Sequence, residues 1–149
     1  MENPSWYFVI ASIIAVIGIV VAFKQFAAKL EERLNSKDSF PQQEIQRDLT
    51  QFFLKVAGIE TIPVILIVLG FMGVKTWNGE TTDLLLPFVM VIGTFLLGII
   101  QILLTRGTLH SLNVSAEVKS FFNTYVFIGL SLISAFPIIS VVALLIMMG

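Results

Sequence analysis

Apolar residues fall into four long runs, at about 6–23, 52–72, 84–105 and 121–148, separated by three polar stretches. Roughly 20 residues at about 1.5 Å rise each cross a bilayer, so every run is long enough to span one. Trp6 and Tyr7 open the first run where an aromatic belt meets the headgroups. Ala11, Ala15, Gly18 and Ala22 follow at three- and four-residue spacing, a small-residue face that lets a neighbouring helix come close. In the polar stretch 24–50, residues 27–34 continue the helix, and the charges from Lys29 to Asp48 read as a solvated surface. Asn35-Ser36-Lys37-Asp38 breaks that helix. Ser39 with Gln42 makes a capping box and Pro41 suits a first turn. The second helix therefore begins near Phe40, outside the membrane, and enters it near Phe52. Residues 75–83 form a short loop, and 106–120 is the last polar stretch, with His110 exposed in it. The pattern predicts an all-α membrane protein with four transmembrane helices.

Composition agrees. Of 149 residues, 56% are hydrophobic and 13% charged, and the mean hydropathy is +0.93; a soluble domain carries about a quarter charged residues. A net charge of -1 leaves no basic footprint, so no nucleic-acid partner is expected. One His and no Cys exclude zinc cages, thiol chemistry and disulfides. With no catalytic triad or phosphate loop in view, the chain is not read as an enzyme, and no resident metal or cofactor is expected. Residues 1–8 hold one acid and no base, which is not the start of a cleavable signal. Lys24, Lys29, Arg33, Lys37, Arg47, Arg106 and Lys119 lie in the stretches after the first and third runs, whereas 75–83 holds only Lys75. Positive charge stays cytoplasmic. Both larger loops should thus face the cytoplasm of a bacterial-type inner or plasma membrane, with both termini outside. The chain divides into two hairpins in parallel orientation, 1–75 and 76–149.

Glu60 stands near the middle of the second run, in Ala57-Gly58-Ile59-Glu60-Thr61-Ile62-Pro63. An ionised side chain at the bilayer centre costs several kcal/mol, and acids kept there bind a cation or carry a proton by default. Ile59-Glu60-Thr61-Ile62-Pro63-Val64-Ile65 aligns with Ile133-Ser134-Ala135-Phe136-Pro137-Ile138-Ile139, and upstream Phe53 with Phe127 and Leu54 with Ile128. Pro63 and Pro137, each three residues past the key position, free a backbone carbonyl and can kink the helix. The equal spacing points to an internal duplication in which Ser134 replaces the acid.

These residues resemble the c subunit, or proteolipid, of rotary ATPases, in its duplicated four-helix V-type form. That family reads small-apolar, then Glu, then Ala-Ile/Leu-Pro-Ile-Ile in the outer helix of a two-helix hairpin. Val56-Ala57-Gly58-Ile59-Glu60-Thr61-Ile62-Pro63-Val64-Ile65 is similar to it, and residues 127–139 are more similar still except at Ser134. Val114-Ser115-Ala116-Glu117 and Pro41-Gln42-Gln43-Glu44 fall where the family has Arg-Gln-Pro-Glu. The resemblance implies a homo-oligomeric ring in lipid, working with a stator or other membrane subunits and carrying one cation per chain on Glu60. The transported species is a proton or sodium; a neutral Glu60 facing lipid would donate to Thr61 or to the carbonyl near Pro63. Sodium-carrying members add a Gln from the inner helix and a hydroxyl beside the Glu, and Gln101 and Thr61 fall at those places. The inner helices carry Ala11, Ala15, Gly18, Ala22, Gly93 and Gly98 instead of a repeated Gly-x-Gly. An alternative is therefore a non-rotary oligomeric scaffold or small channel built on the same hairpin.

Plainer roles stand beside these. Glu60 could fix helix register through one hydrogen bond, Gln101 could join two helices, and Ser134 could bond its own i−4 carbonyl. Lys55 should extend to the headgroups rather than pair with Glu60.

Overall fold

The computed structural model of the chain describes residues 3–36 and 42–149. The expected cap at Ser39 and Pro41 lies outside the described residues. Four helices make up the chain: α1 (Ser5–Ser36), α2 (Gln42–Val74), α3 (Leu85–His110) and α4 (Ala116–Met148). A 3₁₀ turn, Thr81–Leu84, leads into α3. No strand occurs among the described residues. All four helices are long and apolar enough to cross a membrane. At 32 residues α1 is about 48 Å long, against roughly 30 Å of hydrocarbon. The surplus falls at the end where α1 leads into α2, so the polar residues after Phe23 extend the helix rather than interrupt it. The starts are locally specified as well: the Ser115 hydroxyl accepts the Val118 N–H at 3.4 Å, an N-cap for α4.

The small-residue face of α1 is where α2 packs. Ala11, Ala15 and Ala22 are buried, and a methyl on Gly18 would run into Ile59. At one end Arg33 pairs with Asp48 and with Glu44 at 2.9 Å. At the other the Phe8 ring meets Phe71, centroids 5.2 Å apart. The pair is therefore antiparallel. Val16 fills the notch at Gly98 and Lys24 bonds Gln101, so α1 and α3 lie parallel. A buried Ser12–Ser140 hydrogen bond of 2.8 Å and one from Ser140 to the Phe8 carbonyl at 3.1 Å join α1 to α4. Over its most apolar stretch α1 is 56% buried, against 17% for α2 and α3 and 33% for α4. It is the hub on which the others pack. The remaining surface exposes Leu54, Met72, Leu86, Val89, Leu97 and Phe127, more apolar area than water tolerates on a monomer.

The internal prolines of α2 and α4, Pro63 and Pro137, are displaced by 74 positions. Both helices run unbroken through their prolines.

Two expectations are corrected. Asp48 is not solvated: with Ile45, Phe52 and Val56 it lies on the buried face of α2, held by Arg33 from α1. The spacing 45, 48, 52, 56 is the single-face period, and it carries the carboxylate inward. His110 is not an exposed loop residue. It closes α3, is half-buried, and meets the Asn123 side chain at 2.9 Å.

Candidate functional site

The inward face of α2 continues through Pro63 and Ile67. Glu60 lies at the edge of this face and is half-buried. The other edge carries Lys55 and Gly58, which with Gly18, Gln25 and Ile59 line an open groove of about 530 Å³ between α1 and α2. Glu60 is about 200° around the helix from Gly58, on the opposite flank. That is the flank towards α4, which meets α2 where the Phe52 and Tyr125 rings lie 5.6 Å apart. Among the described residues, no hydrogen bond or ion pair engages the Glu60 carboxyl. One turn on, Pro63 lacks the N–H that the Ile59 carbonyl would accept in a regular ladder. A backbone oxygen without its usual donor is thus adjacent to the acid.

The other candidate residues are engaged elsewhere. The Thr61 hydroxyl donates to its own Ala57 carbonyl at 3.1 Å. The Ser134 hydroxyl donates to Leu130 at 2.6 Å, the i−4 bond expected of it. The Gln101 side-chain oxygen accepts from Lys24. Lys55 turns away from Glu60 and reaches Gln25 at 3.4 Å. The hairpins do pack side by side, yet this does not bring Gln101 to Glu60, because Gln101 faces α1 and α2 lies on another side of that hub. Pro63 and Pro137 are both buried. Among the described residues, no cluster of His and acidic side chains could hold a metal ion.

Two features escaped the sequence. Tyr125 is buried, donates to the Phe23 carbonyl at 2.8 Å, and stacks on the Phe23 ring at 4.3 Å. The lysine–glutamine pairs form a polar belt across α2, α1 and α3. The adjacent positions Lys24 and Gln25, at the end of an apolar run, were the only sign of it. No family model, curated protein or solved structure matches the chain.

Proposed function

We propose that the chain is an integral membrane subunit that carries a proton on Glu60 and works as an oligomer of identical copies, built from two tandem hairpins similar to the c subunit of rotary ATPases. One observation supports this above the rest: Glu60 interrupts the apolar part of α2 yet has no hydrogen-bond or ion-pair partner among the described residues. A carboxyl that only fixed helix register would bond a neighbouring helix. Left unpaired at the edge of a packed face, it is free to meet a group that arrives from outside the chain. Such a group could sit on another copy or on a stator-like subunit.

Proton is favoured over sodium. A sodium ion needs several oxygens in place of its hydration shell, and the Gln101 side-chain oxygen is taken by Lys24 and turned away from Glu60. The arrangement of helices also suits a ring: α1 and α3 pack side by side, while α2 and α4 barely touch and so can form an outer layer. The loops after α1 and α3 would face the cytoplasm and both termini the outside, following the Lys and Arg distribution. A second reading, a non-rotary scaffold or small channel, is favoured by the bulk of Trp6, Ile10 and Ile17 on the open face of α1. Bulky side chains there oppose the close approach of inner helices that a tight ring needs.

The test is modification by carbodiimides in membrane vesicles. A lipid-soluble carbodiimide should form its adduct at Glu60, and a water-soluble one should leave that residue untouched. Labelling of Glu60 by the water-soluble reagent alone, or of loop acids with Glu60 spared by both, would reject the proposal.

A further inference from the structure

The open face of α1, between α2 and α3, carries a second site that does not involve Glu60. Ile17 and Val21 stand out from it as a ridge, 57% and 48% exposed. On one side runs the groove with α2, floored by Gly18, Ala22, Gly58 and Ile59. On the other runs a groove with α3 of about 280 Å³, lined by Ile13, Val16, Val20, Leu97 and Gly98. Val21 borders both. Each groove ends at a lysine: Lys55 closes the first beside Gln25, and Lys24 closes the second by bonding Gln101. Lys24 and Gln25 are consecutive, so the two lysines lie at one depth.

Their partners are neutral amides. Among the described residues, neither lysine has a carboxylate within ion-pair distance, whereas Arg33 takes both Asp48 and Glu44. Acids share adjoining grooves with them, Glu31 with Lys24 and Asp48 with Lys55, and Asp48 is held by Arg33. Two uncompensated charges thus sit where two apolar channels meet the polar end of the helices. We infer that this face binds one anionic phospholipid, its phosphate between Lys24 and Lys55 and its two acyl chains in the grooves flanking Ile17 and Val21. Charge selects the headgroup, since basic pockets between spanning helices attract anionic lipids. The paired grooves account for a diacyl lipid in preference to a helix, which would have to straddle the ridge.

The experiment uses the full chain, purified and delipidated in a neutral detergent, with bound lipid counted by native mass spectrometry. The probes are phosphatidylglycerol and phosphatidylcholine with identical acyl chains, and inorganic phosphate. Phosphatidylglycerol should bind in preference, one per chain. K24Q and K55Q should each weaken it roughly fivefold, and the double variant about twenty-five-fold, at close to 1 kcal/mol per lysine. K119Q, on an exposed lysine at the start of α4, should leave binding unchanged. Thermal melting of each variant shows whether it is folded. Equal binding of the two lipids, an equal loss in K119Q, or full competition by phosphate would overturn the inference. So would an efficient disulfide between V21C copies, which would show a second copy covering this face.

Discussion

Glu60→Gln is expected to abolish proton coupling while leaving assembly and stability as they were. The amide keeps the shape of the protonated acid but cannot release or take up a proton near neutral pH. Because no side chain among the described residues bonds Glu60, the exchange should shift stability by no more than about 0.5 kcal/mol, as for an exposed substitution. Dye-quenching assays of proton uptake by membrane vesicles and a melting curve in detergent give the two readouts. Glu60→Asp, with a shorter reach but the same chemistry, should retain part of the activity. Normal coupling in Glu60→Gln would reject the proton-carrying role. Lost coupling together with a stability loss of roughly 1 kcal/mol or more, the scale of a net hydrogen bond, would return Glu60 to a register-fixing one.

Tyr125→Ala is expected to give the largest loss of stability. The ring stacks on Phe23 at 4.3 Å and meets Phe26 at 4.5 Å and Phe52 at 5.6 Å, and so joins α4 to both α1 and α2. Its hydroxyl also reaches the Phe23 carbonyl at 2.8 Å. Truncating a buried aromatic costs about 3–5 kcal/mol. Tyr125→Phe keeps the packing and should lose only about 1 kcal/mol, the hydrogen bond alone. The two variants compared in reversible denaturant unfolding separate packing from bonding. A Tyr125→Ala loss below about 1 kcal/mol would mean that the hairpins are not held together through this cluster.

The helices were legible because four apolar runs long enough to cross a membrane imply helix by their length and composition. The two prolines, Pro63 and Pro137, lie inside unbroken helices as their apolar surroundings implied. Contacts within one helix followed from spacing alone, as at Ser134 and Leu130. Contacts between helices did not. Gln101 was expected as an ion ligand, yet its partner is Lys24, which the parallel pairing of α1 with α3 supplies. The charge of Asp48 suggests solvent but its phase does not: its position between Ile45 and Phe52 puts it on the buried face, and the cost of burial is offset by Arg33 on the facing helix. Tyr125 looked like one aromatic among many in an apolar run. Nothing along the chain says that three phenylalanines from two other helices converge on it.

The placement of Glu60 within the bilayer is the claim on which the rest depends. The chain has no cysteine, so a spin label on T61C reports from one position. Thr61 is exposed and bonds only its own helix, so the change should not disturb packing. In lipid vesicles, the label at 61 should relax strongly with dissolved oxygen and weakly with a water-soluble nickel chelate, the reverse of a label on N113C in the exposed α3–α4 loop. Nickel access at 61 equal to that at 113 would put the carboxyl in water and contradict the proposed role.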